Sequence, residues 1–151
     1  VENVLPKVLV DADGCPVIDE TIKVAKQFGL QVLLFCDTSH AIDRPEAETI
    51  IVSKGADAVD FKLVNHVRKG DIIVTQDYGL ASMVLAKKGY AINQNGWEYT
   101  SENIGQLLEF RYTSQKIRRT GGRLKGPKKR QKENDEKFEQ ALTELCIRAI
   151  N

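Results

Sequence analysis

The chain has 151 residues, 42% of them hydrophobic and 28% charged, with a formal net charge of +1. That is the balance of a soluble globular protein, long enough for one domain, or one domain with an appendage, around a sizeable core. No apolar run approaches the roughly 20 residues a membrane helix needs, and the opening "VENVLPK" lacks the basic start and apolar stretch of a secretory signal.

Val8 to Val10 is a short continuous apolar run, the pattern of a strand buried on both faces, and it ends in "DADGCP". Pro16 suits a first helical turn, and "VIDETIKVAKQF" follows with Ile18, Ile22 and Ala25 at helical spacing before Gly29 as a stop. "LQVLLFC" predicts a second buried strand ending at Asp37, and "DTSHAIDRPE" a loop. "ETIIVSKG", rich in β-branched residues, predicts a third strand with a helix as the alternative. "ADAVDFKLVNHV" predicts a helix with Val59, Val64 and Val67 near one stripe, and Gly70 after it.

"DIIVTQ" predicts a fourth strand reaching Asp77, "YGLASMVLAKKG" a helix with Leu80, Val84 and Leu85 inward, and "YAINQN" a short fifth strand. "TSENIGQLLEFRYTSQKI" predicts a helix capped by Thr100 or Ser101. The last helix runs from about Asn134, with Phe138, Leu142, Leu145 and Ala149 on one face; such a stripe has to dock on something. Strands alternating with helices argue for an α/β domain with a mostly parallel sheet covered on both faces, a Rossmann-like arrangement over 1–114. Residues 115–151 then form a basic loop and a helix docking on the same domain. No GxGxxG or GxxxxGK[ST] follows a strand, so dinucleotide and P-loop readings lose their support.

Charge is unevenly spread. Residues 1–114 hold 11 Lys/Arg against 16 Asp/Glu, residues 115–132 hold 9 Lys/Arg and no acid, and residues 133–151 hold 2 against 5. The basic block reads as a solvated connector or as a footprint for a polyanion. Cys15, Cys36 and Cys146 are odd in number and lack CxxC spacing, which argues against a disulfide framework or a structural zinc and for a reducing cytoplasm.

In an open α/β sheet, sites form at the carboxyl ends of the strands. Asp11, Asp13, Asp37, Asp57, Asp60 and Asp77 all fall at or just beyond such ends. Asp is an ordinary cap and turn residue, so each has a bland alternative. Several clustered carboxylates repel one another, however, unless a cation neutralises them. Hard oxygen ligands select Mg²⁺ or Mn²⁺, whereas His40 and His66 are isolated in sequence and indicate no histidine-rich zinc site. A carboxylate-held Mg²⁺ activates water and polarises a phosphoryl oxygen, which suits phosphate ester hydrolysis. Thr75 and Asn93, beside strand ends, could contact carboxylate or substrate, and Tyr78 and Trp97 could stack bases; core or turn duty is the commoner role for all four.

Two families resemble these motifs. "VLVDADG" is similar to the DxDG signature of haloacid dehalogenase-like phosphatases, and "GDIIVTQD" to their later GD…D motif. That resemblance implies Asp11 as nucleophile and Asp13 as general acid. It departs from the pattern in placing Gly70-Asp71 before a strand, in having Cys15 where Thr or Val is usual, and in its short length.

The second resemblance spans nearly the whole chain. "VDADGCP", "GADAVDFKLVNHVRKGDIIVTQDYGLA", "INQNGWEYTSENIGQLL" and "RRTGGRLKGPKKRQKENDEKFEQALTELC" look like the YaiI/YqxD family, related to the PIN and NYN nuclease domains. The likeness implies a PIN-like fold and a Mg²⁺- or Mn²⁺-dependent endoribonuclease with metal-activated water as nucleophile. It implies Asp11, Asp13, Asp60 and Asp77 as catalytic metal ligands, with Asp57 in support, and RNA as partner. PIN-like enzymes often carry a fourth acid two residues after the third; here that position is Gly79, which leaves a non-catalytic RNA-binding module as an alternative. In the basic block, Arg118, Arg119, Arg123, Lys128, Lys129 and Arg130 are the candidates for phosphate contacts.

Overall fold

The computed structural model describes residues 4–37, 42–53, 58–109 and 129–151. Its elements in chain order are β1 (Val8–Asp11), α1 (Ile18–Gln27), β2 (Val32–Asp37), β3 (Glu48–Val52), α2 (Ala58–His66), β4 (Ile72–Val74), α3 (Tyr78–Ala86), β5 (Tyr90–Ile92) and β6 (Glu98–Tyr99). Helical residues 104–109, here α4, and α5 (Lys132–Ile150) complete it. The strands form one six-stranded sheet in the order β3-β2-β1-β4-β5-β6. All neighbours pair in parallel except β5 and β6, which are antiparallel. The expected α/β architecture, a mostly parallel sheet with helices on both faces, is borne out.

The apolar runs dictate this arrangement. β1 and β2 sit at the centre and read as unbroken hydrophobic stretches because both faces are covered. Side chains alternate, so Val8, Val10 and Ala12 join one core with α1 and α5, while Leu9 joins the other with α2 and α3. β3, at the sheet edge, is only partly buried and exposes Ile51.

Several elements differ in detail from expectation. α1 begins at Ile18, so Pro16 lies in the turn ahead of the helix, and the Thr21 hydroxyl donates back to the Val17 carbonyl at 2.7 Å. The buried residues of α2 and its exit are Leu63 and Val67 rather than a valine stripe. In α3, Ala81 is buried beside Leu80 and Val84 while Leu85 is only partly covered. β6 was not expected: a two-residue strand gives no periodicity to read. The Asn93 carboxamide oxygen makes its hairpin by accepting the backbone N–H groups of Asn95 and Trp97, both at 2.9 Å. Thr100 does precede α4, exchanging bonds with Asn103 as a cap.

α5 opens with a reciprocal capping box between Gln131 and Asn134. It buries Phe138, Leu142, Leu145 and Cys146 against α1 and the sheet, and Lys23 pairs with Glu139 at 2.9 Å across the contact. No helix among the described residues is long and apolar enough to cross a membrane.

Candidate functional site

The chain leaves β1 towards β2 and β3, then crosses back to place β4 on the other side of β1. Connections therefore depart in opposite directions from β1 and β4, and a crevice opens between their carboxyl ends. Val10 pairs with Val74, so the next rung sets Asp11 beside Thr75. By alternation both point to the side of Leu9 and Ile73, towards α2 and α3.

One buried hydroxyl organises this rung. Thr75, 2% exposed, donates from Oγ1 to Asp11 Oδ2 at 2.8 Å and accepts the Asp77 N–H at 3.0 Å. The Tyr99 hydroxyl donates to the Thr75 carbonyl at 3.1 Å, and burial pushes its pKa far up, so it stays a neutral donor. Asp77 caps α3, its Oδ1 accepting the N–H groups of Gly79 at 2.8 Å and Leu80 at 3.1 Å. Asp13 lies in the turn beyond Asp11, where its Oδ2 accepts the Asp37 N–H at 3.0 Å and ties that turn to the end of β2. Asp60 stands in the first turn of α2.

Burial raises the Asp11 carboxyl above its ordinary value; the Thr75 hydrogen bond opposes this, and the charges of Asp77 and Asp13 add to it. Asp11, Gln76, Asp77 and Tyr78 line an open hollow of about 370 Å³. Gln76 is fixed by donating from Nε2 to the Gly14 carbonyl at 3.1 Å. Among the described residues no three acid, histidine or cysteine side chains converge as a metal cage. Two hard carboxylates facing one hollow nevertheless fit Mg²⁺ or Mn²⁺, ions commonly held by one or two carboxylates, with water and substrate phosphate completing the shell.

A family described as "Uncharacterized BCR, YaiI/YqxD family" matches residues 9–148. The chain belongs to this family. A UPF0178 protein of Exiguobacterium sibiricum is 54% identical over 92% of this chain and 95% of its own length. One from Ruminiclostridium cellulolyticum is 52% identical over 90% and 89%, and one from Enterococcus faecalis 48% over 95% and 99%. No solved structure matches the chain.

In this member of the YaiI/YqxD family, three residues expected to touch substrate have other partners. Thr75 is enclosed and makes the carboxylate contact weighed for it, donating to Asp11. Asn93 holds the β5–β6 hairpin through its carboxamide oxygen. Arg130 is a strut: Nε pairs with Asp135 at 2.7 Å, Nη1 donates to Asn95 Oδ1 at 2.9 Å, and Nη2 to the Gln94 carbonyl at 2.7 Å. Lys129 is exposed. Asp57, Arg118, Arg119, Arg123 and Lys128 lie outside the described residues. Tyr78 lines the hollow with its ring edgewise to Tyr99, centroids 6.0 Å apart, and the 42%-exposed Trp97 packs on the other side of Tyr99 at 5.5 Å.

Asp71 escaped the sequence reading except as part of a GD pair. It is 3% exposed, and its two oxygens accept the backbone N–H groups of Lys7 and Arg68, each at 2.9 Å. It lies just before β4, at the opposite end of the sheet from Asp11. Burial pushes the Cys15 thiol up to about 11, which disfavours the thiolate a nucleophile needs.

Proposed function

We propose that this protein is a Mg²⁺- or Mn²⁺-dependent endoribonuclease. The observation that carries the reading is the rung at the switch point: Asp11 and Asp77 face one hollow, both tied to the Thr75 hydroxyl. Asp11 and Asp77 hold the metal; Asp13, Asp60 and Asp57 are the further acids that the PIN-like resemblance implies. When bound, the ion supplies a water activated at neutral pH and Lewis-acid polarisation of a phosphoryl oxygen.

The chain's own residues prepare that chemistry. Thr75 fixes the Asp11 rotamer and its hydrogen bond favours the ionised form, against the burial that raises this carboxyl. Capping leaves Asp77 rigid at the start of α3. Tyr78 forms an aromatic wall on which a base can rest. The Lys/Arg block of residues 115–132 supports RNA as partner by charge alone. The free thiols of Cys15, Cys36 and Cys146 support a reducing, cytoplasmic setting.

A second reading, an RNA-binding module without catalysis, is favoured by one observation: no three ligating side chains converge among the described residues. The covalent phosphatase reading is disfavoured, because Asp71, its second motif, sits at the far end of the sheet. Incubation of single-stranded RNA with Mn²⁺, with and without chelator, tests the proposal. Cleavage is expected in the parent and a loss of about 100-fold or more in Asp77→Asn and Asp11→Asn. Removing the buried, repelled charge in Asp11→Asn is also expected to raise the metal-free melting temperature by about 2–4 °C. RNA binding without cleavage in the parent would select the binding module.

A further inference from the structure

A second cavity, about 610 Å³, adjoins the acidic hollow and shares Gln76 with it as a common wall. Its other lining includes Gln94 and Asn95 of the hairpin, Lys129, and Gln131 and Asn134 at the start of α5. Carboxamides dominate this lining, and no acid takes part. The surrounding residues 1–114 carry 16 acids against 11 basic residues, so an acid-free cavity beside the acids stands out.

Three of these amides accept through their oxygens in internal bonds. Asn95 Oδ1 accepts from Arg130 Nη1, and Asn134 Oδ1 accepts the Gln131 N–H, both at 2.9 Å. The Gln131 side chain accepts the Asn134 N–H in the capping box. Asn95, Gln131 and Asn134 thus each have the carboxamide oxygen occupied and the NH₂ group without an acceptor among the described residues, whereas Gln76 donates to the Gly14 carbonyl and the buried Gln94 Oε1 accepts no hydrogen bond there. Arg130 pairs with Asp135, the residue after Asn134, at 2.7 Å. The lining thus offers three uncommitted NH₂ groups, on Asn95, Gln131 and Asn134, with the Lys129 ammonium beside them and a single uncommitted acceptor, Gln94 Oε1. Such a lining takes an acceptor-rich anion.

We propose that this cavity is a phosphate subsite for single-stranded RNA, holding the phosphodiester adjacent to the one presented to Asp11 and Asp77. The inference rests on the nuclease reading for its substrate class, and it explains how a polyanion settles against an acidic edge. Gln76, shared by the two cavities, separates the held phosphate from the one to be cut.

The test is fluorescence anisotropy of a labelled single-stranded RNA oligomer on the full chain in chelator, where neither metal nor cleavage contributes. Asn95→Asp/Asn134→Asp keeps both internal acceptors and exchanges only the outward NH₂ groups for oxygen. It is expected to weaken binding about 10-fold or more, and Lys129→Ala to weaken it and reduce the salt slope by about 1. Gln27→Glu/Gln140→Glu, equal in charge change but on exposed helix positions, is expected to bind as the parent does. Equal weakening in both double variants, unchanged binding in the first double variant and Lys129→Ala, or no RNA binding by the parent would overturn the subsite. RNA binding by the parent without Mn²⁺-dependent cleavage would overturn the nuclease reading instead, leaving the binding result to stand.

Discussion

At the scale of single residues, the site depends on a threonine more than on any further acid. Thr75 supplies one hydroxyl that both donates to Asp11 and accepts from Asp77. Its removal in Thr75→Val leaves a buried carboxylate with less support, a loss of about 1–3 kcal/mol in stability. The RNA cleavage rate is expected to fall about 10–100-fold, as for other residues that orient metal ligands. Because this hydrogen bond lowers the Asp11 pKa, its loss raises that pKa further, and the acid limb of the rate–pH profile is expected to move to higher pH. Thr75→Ser should restore the profile; an unmoved limb in Thr75→Val would reduce Thr75 to packing. The same carboxyl has a stability consequence of definite sign. Its folded value lies above 3.8, so the favourable contribution is complete below the unfolded value and is lost as pH rises through the folded one.

At the scale of elements, what the sequence made legible tracks the length and regularity of the signal. β1 and β2, unbroken apolar runs, and α1 and α5, periodic helices, were readable. β6 was not, since its placement comes from the Asn93 side chain and from Gly96 rather than from alternation. Gly96 has φ +86°, and a Cβ there would lie 2.8 Å from the Lys137 carbonyl and 2.9 Å from the Ala141 Cβ of α5. The hairpin and α5 therefore touch backbone to backbone. Gly96→Ala is expected to cost about 2–4 kcal/mol, combining left-handed strain with overpacking, measurable by urea unfolding. The acids at strand ends were legible from position alone. Their grouping was not, because strand order decides which ends are neighbours, and it joined Asp11 to Asp77 while turning Asp13 towards β2. The amide-lined cavity was also invisible: "TQD", "INQN" and "RQKEN" are far apart in sequence and carry no motif.

At the scale of the whole molecule, the two sheet faces are closed differently. α2 and α3 follow one another along the chain on one face, whereas the other pairs α1 with α5, the last helix of the chain. The core of that face is incomplete until Phe138, Leu142, Leu145 and Cys146 arrive. Leu142, fully buried, sits in the middle of this contact. Leu142→Ala is expected to cost about 2–5 kcal/mol, and unfolding followed by both far-ultraviolet dichroism and Trp97 fluorescence should remain one transition. Two separated transitions would mean that α5 comes away on its own.

Asp71 sits far below the site yet governs it. By gripping the backbone of Lys7 and Arg68, it fixes where β1 and β4 start against each other. From that anchor to Asp11 the strands act as a ruler marked in alternate faces. One residue added between Lys7 and Asp11 would deliver the carboxylate to the opposite side of the sheet, among α1 and α5, with Val10 on the rung in its place. Variation in chain length within this family therefore has room in the loops and none inside this interval.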